Sequence, residues 1–196
     1  AHKLSILATL CFGYEIAPDK MRVEGISRIT QHDIQVAADL GYKIKLLGIA
    51  ERTADGIEQR VHPTFVPKGS AIAGVDGVMN AVALETDHVH ELLLAGPGAG
   101  GPPTASSVLS DILDIARGTR VPPLGVPSDE LLPYREAPAS ASEGGVYIRL
   151  AAKDVPGALA AITARMGEKS ISTDSVIQRS DLAAKAVAPD GSATRT

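Results

Sequence analysis

Residues 42–67 read YKIKLLGIAERTADGIEQRVHPTFVP, and the way they are read decides the fold. In the first half Ile44, Leu46 and Gly48 alternate with Lys43, Lys45 and Leu47, a period of two that predicts a strand. The second half, GIEQRVHPTFVP, predicts an antiparallel partner across the turn Thr53-Ala54-Asp55-Gly56. Working outward, two more β-like runs, VMNAVALET and HVHELLLAGP, follow with Asp87 between them. Helical spacing flanks these runs. AHKLSILATLCFG places Leu4, Leu7, Ala8 and Cys11 at helical intervals and stops at Gly13. Thr30 is placed to cap a short helix closed by Gly41, and a third helix is expected from about Pro103 to Arg117. EIAPDKMRVEGIS, between the first two helices, reads as loop. The fold class expected is α+β: a mostly antiparallel sheet of about four strands covered by three helices on one face.

The bulk composition narrows the function classes. Aromatic residues make up 3 % of the chain and Trp is absent, so the core has to be built from Ala, Val, Leu and Ile. A net charge of −4 argues against a nucleic-acid partner, which calls for a concentrated basic face. No apolar run is long enough for a membrane helix, and the N-terminus lacks a signal-peptide layout. The lone cysteine, Cys11, cannot pair within the chain, so a reducing cytoplasm is the expected compartment. On its apolar helix face Cys11 is expected to be buried as a small hydrophobe. The chain opens inside an apolar-periodic segment without a Met, the layout expected of a fragment.

Composition changes after residue 118. Residues 119–145 hold many prolines with no clear period and read as an interdomain linker. VYIRLAAKDVPGALAAITARMGEKSISTDSVIQR, residues 146–179, predicts strand, turn, amphipathic helix and strand, the βαβ opening of a small second domain. That piece is too short to bury a core alone. Residues 180–196 are Ala-, Ser- and Thr-rich and are expected to be a disordered tail.

Four places carry candidate chemistry. GPGAGGPPTASS, residues 96–107, strips the backbone bare just before a helix. It fits either a tight structural turn or a ligand cradle. Gly98, Gly100 and Gly101 let a ligand reach backbone N–H groups, Pro103 suits a first helical turn, and Thr104 and Ser106 suit capping. No Gly-Lys-Ser/Thr follows, so it is not a P-loop, and no acidic residue sits where a Rossmann fingerprint needs one. DHVHE, residues 87–91, puts His88 and His90 on one face of a strand. No third ligand has suitable spacing, so no metal is expected. Asp111 and Asp114 fit a solvated or ion-paired helix face better than a catalytic carboxylate pair. DVPG, residues 154–157, reads either as a capped helix start or as an effector site built on Asp154 and Gly157, where helix N–H groups meet an amino-acid carboxylate.

Taken together, AHKLSILATLCFG, VHPTFVPKGSAIAGVDGVMNAV and GPGAGGPPTASSVLSDILDIARG resemble the homoserine dehydrogenase family across residues 1–118, in order and spacing. Residues 146–179 look like the first half of an ACT domain, an amino-acid-sensing module. The resemblance implies interconversion of L-homoserine and L-aspartate 4-semialdehyde with NADP or NAD, on the way to threonine, methionine and isoleucine. It implies that residues 1–118 form the substrate and dimerisation domain of a homodimer. It also implies that Lys3 is the catalytic lysine, a proton shuttle for the substrate hydroxyl. Gly98, Ala99, Gly100 and Thr104 then match a cofactor-contacting loop, and threonine or a relative becomes a candidate effector at Asp154 and Gly157. Three departures stand out: the family's Rossmann domain is absent, its acidic substrate residues fall upstream of Ala1, and the ACT half stops after Arg179. The chain alone is therefore expected to be inactive. The rival expectation is a non-catalytic amino-acid sensor.

Overall fold

The structure, a computed structural model, describes residues 1–138, 144–153 and 155–178. It divides into two units, Ala1–Gly144 and Gly145–Thr196.

In the first unit the decisive stretch forms the expected hairpin. Strands β2 (Tyr42–Arg52) and β3 (Ile57–Pro67) pair antiparallel along their whole length, from Tyr42 opposite Pro67 to Arg52 opposite Ile57. The turn closes where Thr53 N–H donates to Gly56 O at 2.8 Å. Strand β1 (Arg22–Val23) adds to the far side of β3 in parallel, in a segment expected to be loop. A two-residue strand has no detectable period, so only the partner reveals it.

Strands β4 (Met79–Thr86) and β5 (His90–Pro97) form a second antiparallel hairpin. The strands thus divide into a mixed sheet ordered β1-β3-β2 and a separate two-stranded sheet, rather than one sheet of four.

Helix α1 (His2–Phe12) packs against β2 and β3, and α2 (Gln31–Asp39) against β2. Gly13 ends α1 in the left-handed region, its N–H donating to Thr9 O. Thr30 and Asp33 form a capping box at the start of α2, each side chain accepting from the other's backbone N–H. The third helix, α3 (Gly101–Ala116), buries none of its residues, so the expectation of three helices covering one sheet face is corrected to two.

The core is made of small side chains, as an aromatic-poor chain requires: Ala8, Val36, Ala37, Val66 and Ala73 are buried, with Ile57 at 1 % exposure the largest apolar one fully enclosed. Of the expected α1 face, Ala8 is buried and Leu4 and Leu7 are half-buried, and the helix also buries Ser5 and Thr9. Cys11 is exposed, contrary to expectation. The Ser5 hydroxyl is kept inside by accepting from the Ala17 N–H at 3.2 Å, the compensation a buried polar group needs.

Residues 119–138, the first part of the expected linker, run back along the first unit as a strap. Leu132 N–H donates to Gly13 O and Glu15 N–H to Leu132 O, both at 2.9 Å. Ile57 N–H donates to Arg135 O at 2.8 Å, Ala137 N–H to Ile57 O at 3.0 Å, and the Tyr134 hydroxyl to Ile57 O at 3.1 Å.

In the second unit helix α4 (Ala158–Glu168) forms as expected. The flanking runs 146–153 and 171–178 form no strand, and Val146, Ile148 and Leu150 stand exposed at 82 %, 56 % and 60 %. Backbone pairing needs a neighbour, and among the described residues no strand lies beside these runs. The expected tail, residues 180–196, and Arg179 lie outside the described residues.

Candidate functional site

The glycine-rich stretch forms the junction of β5 and α3, and two of its glycines, Gly98 and Gly100, stand in different surroundings. Gly100, the N-cap of α3, has φ 119, a conformation that side chains rarely adopt. Gly98 has an ordinary φ, but a Cβ there would land on the Asn80 carboxamide and lie 3.3 Å from Asn80 Cβ. Gly98 N–H donates to Val78 O at 3.1 Å, continuing the β4–β5 ladder one step past Pro97. Thr104 lies inside α3 and is not its cap. Its hydroxyl donates to Gly100 O at 2.8 Å and its N–H to the same oxygen at 3.2 Å, tying Gly100 to the helix. Ser106, also expected as a cap, is inside the helix as well.

The helix start is a weaker anion cradle than its glycines suggest. Pro102 and Pro103 carry no N–H, so the donors offered in front of α3 are those of Ala99, Gly100 and Gly101. The macrodipole still favours negative charge there. A shallow concavity of about 320 Å³ lies beside the turn, lined by Asn80–Val82 and Leu94–Gly98, with no lysine or arginine among its walls. Bare backbone, three N–H donors and no cation fit one wall of a dinucleotide site and do not fit a complete phosphate pocket.

Lys3 is exposed in the first turn of α1, and its side chain makes no hydrogen bond or ion pair among the described residues. A second, small cavity of about 30 Å³ lies under the strap, among Lys20, Arg22, Glu58, Gln59 and Glu136. Neither concavity brings Lys3 together with Gly100.

The remaining candidates are dispersed. His88 lies in the turn between β4 and β5 and His90 begins β5 at φ 61, so the pair does not share a strand face. Among the described residues no three His, Cys, Asp or Glu side chains gather as metal ligands. Asp114 lies 4.0 Å from Arg117, the ion-paired helix face expected. Gly157 precedes α4 at φ 86, with no side chain capping that helix, while Asp154 lies outside the described residues. No described helix is long and apolar enough to cross a membrane.

Two features escaped the sequence reading. Asn80 pressed on Gly98 was findable in principle, because the Asp87 turn sets a register with Asn80 opposite Gly96. The other is a clasp in which Asp76 accepts from Lys43 at 2.9 Å and from Lys45 at 2.7 Å. These lysine hydrogen bonds, Lys45's foremost, hold the Asp76 carboxyl down at about 2. No local pattern announces a contact across some thirty residues.

Comparison with known proteins places this architecture. The family model described as homoserine dehydrogenase matches residues 1–113. The homoserine dehydrogenase of Pseudomonas aeruginosa is 45 % identical over 185 residues, covering 91 % of this chain and 43 % of the relative. That of Neisseria gonorrhoeae is 43 % identical, with 91 % and 42 % covered. The crystal structure of a homoserine dehydrogenase from Thiobacillus denitrificans superposes with a TM-score of 0.75 at 41 % identity, covering 91 % of this chain and 42 % of that one. The chain therefore spans well under half the length of these relatives. A match over more than half the chain, carried through helix α1, both hairpins and the glycine turn in their native order, makes this chain a member of the homoserine dehydrogenase family.

Proposed function

We propose that this chain is the substrate-binding and dimerisation part of an NADP- or NAD-dependent homoserine dehydrogenase, interconverting L-homoserine and L-aspartate 4-semialdehyde. The observation that carries the reading is the turn at Gly98–Gly101. Its backbone is left bare by Gly98, beside the Asn80 side chain, and by Gly100 at φ 119, and Thr104 ties it to a 16-residue helix. When bound, the nicotinamide supplies the hydride chemistry at the carbinol carbon. This chain's part is to present Ala99, Gly100 and Gly101 N–H groups as one wall of the cofactor site. Lys3 moves the hydroxyl proton: its amine accepts it as the alcohol is oxidised, and its ammonium returns it in the reverse direction. A reducing cytoplasm is the proposed location, from the single cysteine. The sensor alternative needs an effector turn next to a sheet, and α4 carries no such support among the described residues.

One assay tests this reading. The chain alone, and the chain joined to the N-terminal portion of its Pseudomonas aeruginosa relative, are each given homoserine with NAD or NADP, and reduced cofactor is followed by absorbance. The joined protein is expected to turn over and the chain alone to be silent. Lys3→Met in the joined protein is expected to lower kcat by about 10²–10⁴-fold. Turnover by the chain alone overturns its proposed incompleteness, and an unchanged kcat in the Lys3 variant overturns the role of Lys3.

A further inference from the structure

The side chain of Asn80 on β4 stands beside Gly98, one residue past the end of β5. Asn80 is exposed, and its side chain makes no hydrogen bond among the described residues. Polar reach therefore does not explain its position. Its carboxamide instead occupies the volume that any side chain at residue 98 would need. Beyond Pro97 the only ladder bond holding the turn among the described residues is Gly98 N–H to Val78 O at 3.1 Å, on the other side of Met79 from Asn80. A glycine so near a strand end samples many conformations unless something blocks them.

We propose that Asn80 is a positioning residue for the Gly98–Gly101 wall: its side chain is a steric wedge that fixes where the bare backbone lies. The inference rests on the reading of that turn as a cofactor-contacting wall. Asn80 has no part in moving hydride or proton; it sets the fraction of molecules whose turn is ready to receive the dinucleotide. Because apparent affinity scales with that fraction, its loss shows in the dinucleotide and not in the chemistry.

Two measurements test the wedge. In the chain alone, amide hydrogen exchange is followed by NMR. Asn80→Ala is expected to speed exchange at Gly98 about tenfold while the paired amides of β4 and β5 stay within about twofold. In the joined enzyme, Asn80→Ala is expected to raise KM for NADP or NAD about tenfold, with kcat and the homoserine KM within about twofold. Asn80→Leu, of similar shape but without the amide, is expected to restore most of the loss. Unchanged exchange at Gly98 overturns the wedge, and so does a leucine variant as impaired as the alanine one. A variant that merely loosens the fold raises exchange across the whole hairpin, and that result also overturns it. Should the unsubstituted joined enzyme fail to oxidise homoserine, the proposed function falls, while the exchange measurement still decides the wedge.

Discussion

Asp76 shows how a single side chain can fasten a loop. Lys43 and Lys45 project from the same face of β2, being two residues apart, and both reach the one carboxylate. Lys43 also donates to Ala73 O at 3.0 Å and Lys45 to Val75 O, so the clasp ties the segment leading into β4 to the first sheet. The folded Asp76 titrates at about 2, below its ordinary 3.8. A depressed carboxylate stabilises the fold above its unfolded pKa, and that stabilisation is lost as pH falls from about 4 through about 2. Asp76→Asn is therefore expected to lower the melting temperature at neutral pH and to flatten its fall between pH 4 and 2. Circular dichroism melts across that range check it. Towards the other end of β3, Arg60 answers a different need. The register sets Glu51 directly opposite Glu58, a like-charge pair. Arg60 Nη1 lies 2.9 Å from the buried Glu58 and 3.8 Å from Glu51, placing a cation between them.

Among the elements, those defined by local rules followed their sequence signals closely. The capping box needs only residues three apart, and the β2–β3 hairpin needs only alternation and a four-residue turn, so both were legible. The strap was not, because prolines and an absent period look the same in a free linker and in a segment that pairs by single bridges. Tyr14 with Leu132 and Ile57 with Glu136 are such bridges. Ile57 is the strap's anchor, accepting and donating backbone bonds while its side chain is enclosed. Ile57→Ala is expected to cost about 2–5 kcal/mol by urea unfolding, since it opens a cavity beneath the strap. A cost below about 0.5 kcal/mol, the level of surface substitutions, would show that the strap is not held there.

For the whole molecule, the surface left uncovered is the informative part. Helix α3 exposes Val108, Leu109, Ile112, Leu113 and Ile115, and the second hairpin exposes Met79, Leu92 and Leu94. Apolar surface of this extent marks interfaces, and β2 lies at an open sheet edge. The proposed homodimer is expected to sediment as a dimer at tens of micromolar; a monomer at that concentration contradicts it. The candidate site divides along the same line. Gly98, Ala99, Gly100 and Thr104, proposed for the cofactor wall, lie close together in the chain, so the bare turn they form is visible in the sequence, whereas Asn80 comes beside it only through the pairing of β4 with β5. By itself the sequence determined the helices, the Gly13 and Thr30 caps, both hairpins and the bare turn, because each depends on residues within a few positions of one another. Only the tertiary structure decided which face of α1 is buried, that Cys11 is exposed, that residues 119–138 fold back, and that residues 146–153 form no strand. Those outcomes depend on what lies opposite, and a chain segment carries no record of the neighbour that will, or will not, be there to pack against it.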